Sequence, residues 1–347
     1  MDRVKRDYRK FYRIFLILFL LSFSGNLLVL TLYLKERKAV PSPPPKESKE
    51  VQEVKAPQEI KAPKDIKVAS GTVPLPFVHI KNKDYSLLCD KQSRILHLYR
   101  SEEGGFSLIK SYPCIVGSNN VDKKEAGDLA TPEGIYFLTS FMTGKNLPEK
   151  YGFGAFSLNY PNFLDRKEGK KGSGIWLHGY SDRLERPPFS EGCVVVKDEF
   201  LKELMGFIKI GETPLVIVDT LQYEPVESQR KLLQILSHFL KDWKTAWESR
   251  DTAKYLNYYS RNFVSSDGKN YQKFKEYKSR VNEYKKFIQL QIEQKAFLLS
   301  QKGEEHIAIV RINQDYRSDN FKSYSRKILY LKEEKQGKWE IIGEVTL

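Results

Sequence analysis

A chain of 347 residues exceeds what one ordinary hydrophobic core organises and suits two domains with tails. Hydrophobic residues make up 40% and aromatics 13%, which excludes a globally disordered polymer. The 58 Lys and Arg against 44 Asp and Glu leave a net charge of +14 that favours an anionic partner, but no zinc-finger spacing or basic run interleaved with stacking aromatics accompanies it, so nucleic acid is not the expected partner.

Residues 1–13 carry Arg3, Lys5, Arg6, Arg9, Lys10 and Arg13 against Asp2 and Asp7, and Ile14–Leu34 follows as 21 residues without a charge. That length of helix crosses a hydrocarbon layer of about 30 Å. The basic flank predicts a cytoplasmic N-terminus, a transmembrane helix over 14–34, and the rest of the chain outside the membrane. No small-x-small cleavage site precedes Lys35, which argues for a retained single-pass anchor. Residues 35–73 turn to Pro, Lys and Glu, as in PSPPPKESKE, and read as an extended, solvated linker.

Between Pro74 and Thr220, short apolar runs alternate with turn signals: Tyr85–Cys89, Ile95–Tyr99, Ser107–Val116, Gly134–Ser140 and Leu215–Val218. They predict a mainly β domain over 74–220. Cys89, Cys114 and Cys193 are too scattered for a disulfide framework or a metal pair; Cys89 and Cys114 read as small buried hydrophobes, or as a bridge if their strands are neighbours.

From Glu227 onward Leu232, Leu236, Phe239, Leu240, Trp243 and Trp247 recur at helical spacing, predicting a long amphipathic helix. Asp251 is placed to cap a second helix through Tyr258, Tyr271–Phe287 suggests a third, and four alternating stretches follow around 289–299, 306–312, 323–331 and 339–345. Helices first and strands afterwards predict an α+β domain over 227–347. With WKTAWESRDTAKYLNYYSRNF at its front, this order resembles the NTF2-like family. Tyr255, Tyr258, Tyr259 and Phe263 are assigned to its core. The resemblance leaves dimerisation, or binding of a glycan, wall peptide or other ligand, open to this domain.

The chemistry concentrates in IWLHGYSDRLERPPFSEGCVVV, Ile175–Val196, where an apolar strand delivers His178 and a small-residue turn presents Cys193. A thiol needs a base to become a thiolate near neutral pH, and imidazole suits that task. Gly192 removes bulk beside the sulfur and permits unusual backbone angles, so N–H groups there are candidates for an oxyanion site. The Ser190 hydroxyl suits holding the turn. A His and a Cys fifteen residues apart prove little alone. The whole string, His-Gly then Ser-x-Gly-Cys, resembles the signature of the L,D-transpeptidase catalytic domain, the YkuD family, as do GDLATPEGIYFL at Gly127–Leu138 and LNYPN at Leu158–Asn162 upstream.

That resemblance implies a bacterial cell-wall enzyme, facing the periplasm, in which Cys193 is the nucleophile, His178 its base, and peptidoglycan stem peptides the substrate. It also brings Gly179, Trp176, Tyr160 and Arg183 into consideration as substrate-groove residues. Two departures stand out: Val195 sits where many members carry Arg, with Arg183, Arg186 or Lys197 as replacements, and Glu191 sits where many carry His. With the fused C-terminal domain, the chain resembles the cell-shape-determining L,D-carboxypeptidases, which trim tetrapeptide stems to tripeptides. An L,D-transpeptidase that cross-links or attaches and releases wall proteins is the enzymatic alternative, and a non-catalytic wall-binding scaffold the alternative from another class. No cofactor is implied, and His79, His97, His238 and His306 show no metal-ligand spacing.

Overall fold

The computed structural model describes residues 71–144, 147–181, 185 and 188–347. The expected cytoplasmic segment and transmembrane helix, most of the linker, and Arg183 lie outside the described residues. Among the described residues no helix is long and apolar enough to cross a membrane.

Ten strands precede Gln222: β1 (Thr72–Pro74), β2 (Phe77–Ile80), β3 (Tyr85–Asp90), β4 (Ile95–Glu102), β5 (Gly105–Pro113), β6 (Gly134–Thr143), β7 (Gly154–Leu158), β8 (Trp176–Tyr180), β9 (Val194–Lys197) and β10 (Pro214–Val218). Helix α1 (Phe163–Lys167) lies between β7 and β8, and α2 (Asp198–Met205) follows β9. Eight of these strands form one sheet in the order β5-β4-β3-β10-β6-β7-β8-β9. Alternation along β3 shows why its sequence is apolar at successive positions. Leu87 joins a cluster with Leu96, Tyr136, Leu177 and Leu201 on one face, while Leu88 joins Phe137 and Val216 on the other.

The chain continues through β11 (Tyr223–Pro225), α3 (Val226–Glu248), α4 (Thr252–Leu256), β12 (Tyr259–Ser265), α5 (Tyr271–Tyr284), β13 (Ile288–Lys302), β14 (Glu305–Ser318), β15 (Lys322–Glu333) and β16 (Trp339–Thr346). The long helix, the third helix and the four C-terminal strands occupy the stretches that their periodicity indicates. Asp251 caps α4 by accepting from Lys254 N–H at 3.0 Å, but that helix stops at Leu256, short of Tyr258. Tyr259 and Phe263 then recur at strand spacing with buried rings, and the segment pairs in parallel with β16.

Two features of the assembly were not visible in the sequence. Strand β2, inside the stretch expected to build the first domain, instead adds antiparallel to β13, giving a six-stranded sheet β12-β16-β15-β14-β13-β2. The expected two cores are also joined by a third, where Leu88, Ile135, Phe137, Phe163 and Val216 meet Leu298, Ile309, Ile328, Tyr330 and Ile342. Phe163 stacks on Tyr330 with centroids 4.7 Å apart. At the edge of this joint Lys302, on β13, pairs with Glu168 at 3.0 Å and Asp122 at 3.3 Å. Each sheet therefore buries both faces, one of them against its neighbour.

Candidate active site

Strand β8 runs parallel to β9, with Leu177 opposite Val194 and His178 opposite Val195. Side chains alternate along a strand, so Cys193, two residues before Val195, projects from the same face as His178. Both line one cavity of about 610 Å³. The β-branched run Val194–Val196 is buried throughout, which fixes this register against slippage.

His178 is 6% exposed, and its Nδ1 lies 2.8 Å from the Gly179 carbonyl oxygen. A carbonyl can only accept, so Nδ1 carries the hydrogen and Nε2 keeps a lone pair. Burial pulls the imidazole pKa down to about 4; the Gly179 hydrogen bond and the Asp198 carboxylate act upward, and the Lys150 ammonium downward. Near neutral pH the ring is an uncharged base. The Tyr151 ring meets it edge-on, 4.9 Å between centroids, and also packs on Trp176 at 4.7 Å.

The carbonyl that orients His178 is itself held by close packing. A methyl group at Gly179 would fall 2.1 Å from the Asp198 Oδ1, and one at Gly152 would fall 2.2 Å from the same oxygen. That oxygen accepts from Phe153 N–H at 2.7 Å. Asp198, at the start of α2, thus ties the Gly152 turn to the end of β8 directly behind the imidazole.

The Cys193 turn is closed by Ser190, whose hydroxyl donates to the Cys193 carbonyl at 2.6 Å and accepts from Gly192 N–H at 3.1 Å. Gly192 has φ +124°, which a side chain rarely adopts. Its N–H is engaged by Ser190, so the candidate oxyanion donor left by this turn is the Cys193 N–H, which has no acceptor among the described residues. The Cys193 sulfur donates to the Gly174 carbonyl at 3.6 Å. Burial pushes the thiol pKa up, opposed by the Trp176 N–H and Lys150, so the resting sulfur is a thiol.

The start of the GDLATPEG segment and the residues just before it form the facing wall, through Gly127 and Leu129 and through Lys123 and Ala126. Asp128 organises it by accepting from the N–H groups of Lys124, Glu125 and Ala130 at 2.8, 2.9 and 3.2 Å and pairing with Lys123; these bonds hold its carboxyl well below the usual range. The other matched segment has a structural role. Asn162 caps α1 in a reciprocal arrangement with Asp165. Tyr160, expected in the groove, is buried against Tyr136 and donates to the Lys171 carbonyl at 3.0 Å. It belongs to the core, because its ring fills the interior face of the sheet. Trp176 contributes its backbone N–H beside the sulfur, and Gly179 its carbonyl behind the imidazole. Lys150, Tyr151 and Asp198 were missed: each lies outside the matched strings, and no local pattern shows that the turn after β6 folds back over β8.

Residues 84–217 match the L,D-transpeptidase catalytic domain family (YkuD), and residues 235–345 match the Cds6 C-terminal NTF2-like domain. Bd1075 of Bdellovibrio bacteriovorus is 32% identical in a comparison covering 79% of this chain and 98% of that one, with a TM-score of 0.66. The chain belongs to the YkuD family and carries an NTF2-like C-terminal domain. The helical cell shape determining protein Pgp2 of Campylobacter jejuni is 26% identical over 78% of this chain and 95% of its own, with a TM-score of 0.64. YafK of Escherichia coli (strain K12) is 25% identical over 162 residues, 46% of this chain, and the match spans 60% of the YafK length. The His178–Cys193 cavity lies wholly within the YkuD domain.

The NTF2-like domain holds a second cavity of about 870 Å³, lined by Trp247, Lys278, Arg280, Tyr284, Lys285 and Lys327 among others. The buried Lys278 ammonium lies 4.0 Å from the Trp247 ring centroid, and burial lowers its pKa to about 7. Tyr255, Tyr259 and Phe263 are core residues behind this cavity.

Proposed function

We propose that this chain is a cysteine-dependent peptidoglycan enzyme that cuts stem peptides through an acyl-enzyme, acting as an L,D-carboxypeptidase that trims tetrapeptide to tripeptide. The observation that carries the reading is the His178 tautomer, with Nδ1–H held by the Gly179 carbonyl and Nε2 left with its lone pair, on a ring that lines the same cavity as Cys193.

Nε2 takes the thiol proton as the sulfur attacks the carbonyl carbon of the third stem residue, forming a C–S bond and an oxyanion that the Cys193 N–H accommodates. Collapse breaks the C–N bond, and the imidazolium returns its proton to the departing amine of D-alanine. Water, deprotonated by the same imidazole, then opens the thioester and restores the thiol. An amine acceptor in place of water gives the L,D-transpeptidase outcome. Val195 favours trimming: where many relatives carry Arg, it is buried against Ile115 and Tyr180 and offers an acceptor strand no polar contact. Likeness to a protein described as determining helical cell shape points the same way.

The wall substrate calls for an extracytoplasmic enzyme, and the basic N-terminus followed by the apolar Ile14–Leu34 supports a membrane anchor with the catalytic part on the periplasmic side. The cationic, aromatic cavity of the NTF2-like domain supports a role in holding a wall glycan or peptide.

The test is incubation of the full chain, wild type and Cys193→Ala, with purified disaccharide-tetrapeptide, followed by mass spectrometry. Loss of one alanine without dimer, abolished by the substitution, is expected. Cross-linked dimer would make the chain a transpeptidase, and no Cys193-dependent product would leave the scaffold reading in its place.

A further inference from the structure

The family resemblance puts an Arg two residues after the nucleophile, and here that position is Val195, 1% exposed. Of the cations that the sequence offers in its place, Arg183 and Arg186 lie outside the described residues, and Lys197 is not part of the cavity wall. The described wall instead carries Lys123 and Lys150. Lys123 is buried and committed, bonded to Asp128 and to the Glu125 carbonyl at 3.0 Å. Lys150 is different: its side chain is 61% exposed, and its ion-pair partner Glu191 is 80% exposed at a long 3.4 Å. A pair so open to water is held weakly and exchanges readily.

We infer that Lys150 is the residue that receives the substrate's terminal carboxylate, with Glu191 occupying it until substrate arrives. This rests on the stem-peptide reading above. In a peptide whose last residue is the leaving group, the carboxylate carbon lies within about 4 Å of the attacked carbonyl carbon. The cation that holds it must therefore stand beside the sulfur. Lys150 meets that condition: it shares the cavity with Cys193 and His178, its ammonium acts electrostatically on both, and the adjacent Tyr151 ring contacts the imidazole. Lysine presents its charge as a point on a flexible stem, which suits swapping one carboxylate for another better than a rigid guanidinium fork. Such a contact favours removal of a single terminal residue, because one further residue carries the carboxylate out of reach.

The test measures kcat and KM of the full chain on a stem tetrapeptide and on its C-terminal amide, for wild type, Lys150→Met, Lys150→Arg and Glu191→Gln. Loss of one charge-assisted contact predicts that Lys150→Met raises KM for the acid about tenfold. KM for the amide, which has no carboxylate to lose, should rise far less than KM for the acid; Lys150→Arg should restore discrimination, and Glu191→Gln should lower KM for the acid. The acid limb of kcat/KM in Lys150→Met should also move to higher pH. The groups facing His178 are Lys150, Asp198, Tyr151 and Cys193, and the substitution removes the cation among them. An active wild type whose discrimination between acid and amide survives Lys150→Met overturns the role of Lys150 alone. A wild type without Cys193-dependent turnover of either peptide overturns the stem-peptide reading, and this inference with it.

Discussion

Substituting Gly179 by alanine tests whether the packing behind the imidazole sets its chemistry. The new methyl carbon would lie 2.1 Å from Asp198 Oδ1 and 3.4 Å from Leu201 Cδ2, so either the carboxylate or the end of β8 must move. Asp198 is not free to swing away, because the same oxygen accepts from Phe153 N–H. Overpacking of this kind costs about 1–3 kcal/mol. For a folded unit of this size that lowers Tm by roughly 2–10 °C. Displacement of the Gly179 carbonyl also weakens the 2.8 Å bond that keeps the hydrogen on Nδ1. A neutral hydrogen bond contributes about 1 kcal/mol, so the ratio of the Nδ1–H tautomer to the other falls by up to roughly fivefold before any misplacement of the ring is counted. Scanning calorimetry and kcat on a stem tetrapeptide read the two effects separately. The double variant Gly179→Ala/Asp198→Ala supplies the control: with the carboxylate gone, the methyl group has room, and the stability losses should combine to less than their sum. Unchanged kcat and Tm in Gly179→Ala, or strictly additive losses in the pair, would refute the role given to the Gly179–Asp198 contact.

Two further expectations concern His178 and the turn that carries Cys193. The unfolded imidazole of His178 titrates near 6.5 and the folded one near 4, so the unfolded chain binds more protons in that window. The contribution to stability is complete above pH 6.5 and is lost as pH falls toward 4, by about 3 kcal/mol. Urea midpoints at pH 4.5 and 7.5 should differ less in His178→Gln than in wild type, and the acid limb of kcat/KM should fall near pH 4; a limb near 6.5 would contradict the burial argument. Ser190→Ala removes both bonds that close the Cys193 turn and should cost about 1–3 kcal/mol by chemical unfolding, with a fall in kcat larger than any rise in KM. A variant that keeps wild-type kcat would show that the turn holds its shape without the hydroxyl.

The elements that could be read directly from the sequence are those whose geometry is dictated within a few residues. The 3.6-residue recurrence of Leu232, Leu236, Phe239, Leu240 and Trp243 specifies α3, because an amphipathic helix has one favourable way to bury that stripe. Asp251 announces a helix start through its side-chain oxygen, and the structure shows Asn270 doing the same for α5, a signal missed in the sequence. What the sequence could not show is which faces meet. Phe77, Ile80 and Phe163 are ordinary apolar residues locally, and only the approach of β13 and β15 makes them part of a joint between the two sheets. For the same reason β2 follows its nearest open sheet edge and not its neighbours in the chain.

The site divides along the same line. Cys193, Gly192 and Ser190 form one local turn, and His178 and Gly179 one strand end, so the motif describes each half completely. Their union depends on the parallel register of β8 with β9, which the buried Val194–Val196 run encodes only indirectly. Tyr160 shows the cost of extending a motif beyond its own backbone: it sits within a matched string, yet its ring belongs to the interior. Lys150, Tyr151 and Asp198 show the converse, since a turn some 25 residues before β8 and the first residue of α2 supply the cation, the aromatic cover and the carboxylate around an imidazole to which no short pattern links them. The electrostatics of the base are therefore set by parts of the chain that the motif does not contain. Two YkuD domains with the same His-Gly and Ser-x-Gly-Cys strings can accordingly differ in the pKa of that imidazole, according to what occupies the positions of Lys150 and Asp198.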